Sequence, residues 1–126
     1  MANVVAPKPS GRSYASITMS TTSTGESEPV SLTGLCLSAI QISSNWTTAS
    51  MGFKSNCDGS TNFYPVKDSL GNFLTYSCSA AQVLALDPAL FAGLGKIVLV
   101  SCTTAGVGVA QNAARSLVLG LSPAYM

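Results

Sequence analysis

The chain has few groups that could carry covalent chemistry. Its 126 residues include no histidine, five acidic and six basic side chains, and four cysteines. Without imidazole, the commonest general base and the commonest transition-metal ligand are both missing. A serine or cysteine therefore has no histidine to activate it, which excludes triad-type nucleophilic catalysis within the chain. The carboxylates are Glu26, Glu28, Asp58, Asp68 and Asp87. Glu26 and Glu28 fall in one polar loop, a poor match to the two firmly held carboxylates of a glycoside hydrolase. Asp58 and Asp68 lie in turns that contain glycine, where a short acid hydrogen-bonds nearby backbone. Asp87 stands directly before Pro88, the pattern of an N-cap followed by proline at the first helical position. Asp58, Asp68 and Asn72 could pool oxygens on calcium, but without the spacing of an EF-hand loop.

Cys36, Cys57, Cys78 and Cys102 stand singly and far apart, unlike the paired cysteines of a zinc site. They read as small, reduced core residues; disulfides formed later in an oxidising medium are the alternative. Gly106-Val107-Gly108 lacks the third glycine and the lysine of a phosphate loop, and so reads as a flexible loop. Asn45-Trp46-Thr47 matches the glycosylation sequon by chance, since no secretory signal accompanies it. Trp46, Tyr64 and Tyr76, with Phe63 near them, could stack on sugar rings. The competing reading of Trp46 is a core anchor for a strand.

Only 9% of residues are charged, the formal net charge is +1, and 47% are hydrophobic. An ordinary soluble domain has roughly 25% charged residues. There is no basic surplus to displace counterions, so nucleic acid is excluded as a partner. Serine and threonine supply 30 of the 126 residues. A polar but uncharged surface suits a protein packed against other subunits, because a hydroxyl is far cheaper to bury than an ion. The alternative is an extracellular domain with a hydroxyl-rich surface. No apolar run is long enough to cross a membrane, and the opening residues lack the apolar stretch of a signal peptide. Synthesis in a cytoplasm, with no membrane partner, is the expectation.

Residues 1–12 read as an extended N-terminal arm, since Pro7 and Pro9 oppose regular structure and Lys8 and Arg12 place two cations there. Residues 13–126 read as a single domain. Ile17 and Met19 alternate in a first strand, and Val30/Leu32 and Leu35/Leu37 continue the period of two. Ile40/Ile42 resume it on the other parity, which predicts a bulge near Ser38–Ala39. Met51/Phe53 alternate before an Asp58-Gly59 hairpin signal. Tyr64–Val66 is a short strand that Pro65 keeps at an edge or a bulge. A turn at Asp68–Asn72 precedes alternation at Leu74, Tyr76 and Cys78, and Val83–Leu86 is a further short strand. A helical turn follows near 88–92. Ile97–Cys102 is an unbroken apolar strand, hence central. Thr103–Ala114 reads as a loop, and Leu117, Leu119 and Leu121 form the last strand. About eight short strands and no βαβ rhythm predict an all-β, antiparallel, jelly-roll-like β-sandwich.

Five stretches carry a family resemblance. They are Trp46-Thr-Thr-Ala-Ser-Met-Gly-Phe53, Cys57-Asp-Gly-Ser-Thr-Asn-Phe-Tyr-Pro-Val66, Asp68-Ser-Leu-Gly-Asn-Phe-Leu-Thr-Tyr76, Leu86-Asp-Pro-Ala-Leu-Phe-Ala-Gly93 and Gln111-Asn-Ala-Ala-Arg-Ser-Leu-Val-Leu119. Over residues 30–121 the chain resembles small β-sandwich virion structural proteins of tailed bacteriophages, the capsid decoration or cement class. The resemblance implies a non-enzymatic protein on the outer capsid surface that stabilises the head, with no catalytic residues and no cofactor. Its partners would be the major capsid protein and further copies of itself, as a dimer or trimer. The arm residues Pro7, Lys8, Pro9 and Arg12 would lie along the capsid, the prolines lowering the entropy lost on ordering. The alternatives are a carbohydrate-binding sandwich module and a head-fibre or tail component of the virion.

Overall fold

The computed structural model describes residues 13–19, 25–32 and 34–123. The described chain forms β1 (Ser13–Met19), β2 (Val30–Ser31), β3 (Leu35–Gln41), β4 (Ser50–Ser55), β5 (Tyr64–Pro65) and β6 (Val83–Ala85). A 3₁₀ turn (Pro88–Phe91), β7 (Lys96–Cys102) and β8 (Arg115–Pro123) complete it. Every strand pairing is antiparallel. β1 pairs with β8, β2 with β7, β3 with β6 and β4 with β5, so the chain is one long ribbon folded back on itself. Rolling that ribbon sets β3 beside β8 and β4 beside β7. Two four-stranded sheets result, β1-β8-β3-β6 and β2-β7-β4-β5. This is the jelly roll, the double Greek key expected from the strand spacing.

Local chemistry explains where the ribbon bends. Asp68 Oδ1 accepts the N–H groups of Leu70 (2.9 Å) and Asn72 (3.0 Å), and Gly71 takes φ 85°, which glycine adopts without a Cβ penalty. Asp87 Oδ1 caps the 3₁₀ turn by accepting the Ala89 N–H at 3.1 Å, with Pro88 opening the turn. The register of β3 against β8 slips between Leu37 and Ala39, where the change of parity predicts the bulge. Pro65 sits in the two-residue edge strand β5.

The core lies between the sheets. Leu117, Leu119 and Leu121 of β8 meet Ile97 and Leu99 of β7 within one buried cluster, with Met19, Leu37, Ile40, Met51 and Phe53 around them. Phe91 closes one end, fully buried, with its ring edge-on to Phe53 at 5.1 Å. That contact explains why so short a helical turn holds its place: burying one phenyl ring contributes about 2–3 kcal/mol. Leu74–Cys78 does not form a separate strand. It is tied to β4 through paired hydrogen bonds between Met51 and Tyr76, each 2.9 Å. The described cysteines are all free thiols: Cys36, Cys78 and Cys102 buried, Cys57 exposed. Cys78 belongs to the inter-sheet core and Cys102 to a separate cluster with Val98 and Val100.

Candidate interaction surface

The backs of the two sheets differ. On β2-β7-β4-β5 the outward residues Val98, Val100 and Cys102 are themselves buried, and Phe63 packs on them. Gly52 makes room for the Cys102 thiol: a Cβ there would stand 2.6 Å from Sγ. The 66–76 hairpin and the 103–109 loop form a roof over this face. Lys67 Nζ lies 4.9 Å from the centre of the Phe73 ring, a cation–π contact, and a Cβ at Gly106 would meet that ring at 3.1 Å. Glu26 and Lys54 form an ion pair beside it. Beneath the roof only about 30 Å³ stays free. The 103–109 segment, expected as a plain loop, turns back along β7. Val109 donates to the Ser101 carbonyl at 2.7 Å, and the Thr103 hydroxyl accepts from Ala105 and Val107.

The back of β1-β8-β3-β6 has no roof among the described residues. The register aligns Ser16, Val118, Gln41 and Val83 in one row, and Tyr14, Gly120, Ala39 and Ala85 in the next. Thr18 pairs with Ser116 at one margin, and the Ser38 and Ser122 hydroxyls are bonded at 2.6 Å near the other. No acidic or basic side chain stands in these rows. Tyr14 is 76% exposed and Val83 67%. The surface is flat, small-residued and uncharged, fit for close packing against another protein rather than for chemistry on a small molecule.

A polar knot braces one end of the sandwich. Gln111 is 2% exposed and Arg115 6%. Gln111 Oε1 accepts the Thr47 N–H at 2.7 Å and Arg115 Nε–H at 3.2 Å; its Nε2 donates to the Thr47 carbonyl (3.0 Å) and to Ser101 Oγ (2.8 Å). Arg115 Nη2 donates to Thr47 Oγ1 at 2.8 Å. None of the five carboxylates pairs with this guanidinium; the described ion pair is Lys54–Glu26. Amide and hydroxyl dipoles take the place of a counter-ion.

The proposed sugar platform is not assembled. Trp46 is 6% exposed in the core, its indole N–H given to the Ala49 carbonyl at 3.3 Å, so the ring has no face to offer. Burial of a large apolar ring outweighed the surface role. Tyr76 is half-buried and edge-on to Phe53 at 6.0 Å. Tyr64 alone of the three is well exposed, at 65%, over a shallow hollow of about 360 Å³ shared with Asn56, Cys57, Asp58 and Leu94. Nor are Asp58, Asp68 and Asn72 gathered on one ion. Asp58 accepts the Ser60 N–H at 3.0 Å, and that bond holds its carboxyl below the usual range, while Asp68 and Asn72 serve their own turn. Among the described residues no three acids or cysteines cluster as a metal site. Glu26 is engaged by Lys54, and Glu28 is exposed. Pro7, Lys8, Pro9 and Arg12 lie outside the described residues. Burial lifts the Cys78 and Cys102 thiols above their ordinary value, and burial with the charge of Asp87 does the same for Tyr76. No helix among the described residues is long and apolar enough to span a membrane.

No protein-family model matches the chain, and no curated protein matches it in sequence. The likeness lies in the fold. The crystal structure of the SPBc2 prophage-derived protein YomS superposes with a TM-score of 0.51, at 18% identity, over 95% of this chain and 98% of that one. Part of CpGH89 from Clostridium perfringens, solved with its substrate GlcNAc-α-1,4-galactose, superposes with a TM-score of 0.42 at 16% identity, over 88% of this chain and 14% of that one.

Proposed function

We propose that this protein is a non-enzymatic structural component of a bacteriophage virion, a decoration protein that packs on the outer surface of the head and stabilises it. The observation that carries the reading is the back of β1-β8-β3-β6, a sheet face that the described residues leave bare and without charge, while the other sheet is covered by its own hairpin and loop. The near end-to-end likeness in fold to a prophage-derived protein supports it. The partners are the major capsid protein and further copies of this chain. A shell holding packaged DNA is under outward pressure, and many copies, each adding a modest contact, tie neighbouring subunits together through avidity. The 1–12 segment, with Lys8 and Arg12, adds a second point of attachment whose charges set register.

The test is occupancy on particles of the phage that encodes the chain, prepared without it and then titrated with purified protein. Val83→Asp and Ala85→Asp each put a carboxylate into the exposed face without touching the core. An unpaired acid buried at the contact should lower occupancy at least about tenfold. Particles lacking the protein should release DNA at a lower temperature. Unchanged occupancy for both variants, or equal DNA release with and without the protein, refutes the reading.

A further inference from the structure

Three of the four sheet edges are blunted and one is not. β2 and β5 have two residues each and β6 has three, and β5 also contains Pro65, which has no N–H to offer. β1 is seven residues long and pairs with β8 without a register break. Its sequence, Ser13-Tyr-Ala-Ser-Ile-Thr-Met19, holds no charge and no proline. Among the described residues only Ser27 reaches its outer side, through a bridge at Met19, the last position of the strand. A long, regular, uncharged edge is a row of backbone donors and acceptors ready for another strand.

We infer that β1 pairs antiparallel with β1 of a second copy, about a twofold axis at Ser16, joining two four-stranded sheets into one of eight. The inference deepens the self-association proposed above and rests on that part of it. What selects a second copy is self-complementarity. A twofold contact sets the axial residue against its own image and every other residue against its counterpart, so a charge at the axis, or like charges at paired positions, would repel; β1 carries none. Pairing centred on Ser16 sets Tyr14 beside the partner's Thr18 and Ala15 beside the partner's Ile17. Tyr14, Ser16 and Thr18 are exposed and share the bare face, whereas Ile17 and Met19 are buried, so this register keeps outward residues outward in both copies. The two bare faces then form one continuous charge-free surface. An edge contact this narrow is smaller than a standard interface, and the pairing is therefore reversible in solution and reinforced where copies are held together.

The experiment uses the full chain and sedimentation velocity from about 10 µM to about 1 mM. Ser16 is exposed on the outer face, so Ser16→Lys and Ser16→Glu leave the core untouched. The wild type should show a concentration-dependent dimer. Each charged variant should dimerise at least about tenfold more weakly, because like charges meet across the axis. An equimolar mixture of the two should recover dimer as a heterodimer. If either charged variant misfolds, Ser16→Cys in a Cys57→Ser background replaces it. Its thiols should link across the axis when oxidised glutathione accepts their two electrons. A wild type that stays monomeric throughout, charged variants that dimerise as tightly as wild type, or a mixture that fails to recover dimer overturns the inference. So does loss of the dimer on deleting residues 1–12 while Ser16→Lys has no effect, since that places the contact in the leading segment. A monomer that still loads onto particles overturns the pairing and leaves the decoration reading standing; a dimer that never loads does the reverse.

Discussion

Replacing Gln111 by leucine tests whether the polar knot holds the end of the sandwich together. The side chain is 2% exposed and makes four hydrogen bonds, two through each terminal atom. Leucine fills most of the volume but strands the Thr47 N–H, the Thr47 carbonyl and Arg115 Nε, while the Ser101 hydroxyl can rotate. A stranded buried polar group costs about 1–3 kcal/mol. Three groups, with some relaxation toward water, put the loss at about 3–5 kcal/mol, a large share of the roughly 5–15 kcal/mol that holds an ordinary domain folded. Urea unfolding followed by tryptophan fluorescence reads it through Trp46, which lies in the loop that the knot anchors. Thermal unfolding should shift down by about 4 °C per kcal/mol at this size. Gln41→Leu, at an exposed position of β3, should change stability by less than about 0.5 kcal/mol. The double replacement Gln111→Leu with Arg115→Met should cost clearly less than the sum of the single changes, because it removes the buried charge together with its acceptor. A Gln111→Leu protein within about 1 kcal/mol of wild type, or strict additivity in the cycle, refutes the argument.

The thiols supply two further predictions. In the folded protein Cys57 should react with a thiol reagent at once, while Cys36, Cys78 and Cys102 should react only at the rate of unfolding; a second fast thiol without denaturant would contradict the packing described. Stability should also fall at alkaline pH. Cys78 and Cys102 have folded pKa values raised above 9.0 by burial. A raised folded value means that the native state holds the proton more tightly, so this contribution is full below the unfolded pKa and is lost as pH climbs through the folded one. The urea midpoint should hold steady to near pH 9.0 and decline above it, and replacing both cysteines by alanine should flatten that decline; an unchanged slope in the double variant would count against burial as its cause.

How far the sequence reaches depends on how local each signal is. The bulge at Ser38–Ala39, the Asp87-Pro88 cap, the edge position of Pro65 and the central place of Ile97–Cys102 are all legible, because each is written in neighbouring residues. The knot is not: Gln111 and Thr47 are 64 positions apart, and nothing local distinguishes that glutamine from a surface one. Trp46 is legible as a core anchor, the stronger of its two readings, and its 6% exposure bears that out. The roof escapes for the same reason as the knot. Residues 66–76 and 103–109 look like a turn and a loop, and only the fold brings Phe73 against Gly106 and Phe63 against Val98 and Val100. The bare face follows from register alone, because the charge-free rows come from four strands that are scattered along the chain.

The placement of charge gives the two faces their meaning. Lys54 and Glu26 pair on the roofed side, Lys67 and Asp68 belong to the roof itself, Lys96 begins β7, and Asp58 lies in the loop between β4 and β5. Arg115 points inward from β8 and is buried. Among the described residues the shortage of charge is therefore concentrated on one surface. A face made of Ser, Thr, Gln, Gly and Ala with a tyrosine and two valines can be wetted while the protein is free, because hydroxyls and amides bond water readily. It can be covered later without stripping water from an ion, the step that makes charged surfaces costly to bury. Lysines scattered over the same sheet would raise solubility but oppose close contact. A protein whose working state is solitary gains nothing from giving up that protection on the sheet that its described residues leave unroofed; a protein whose working state is a packed layer needs it gone.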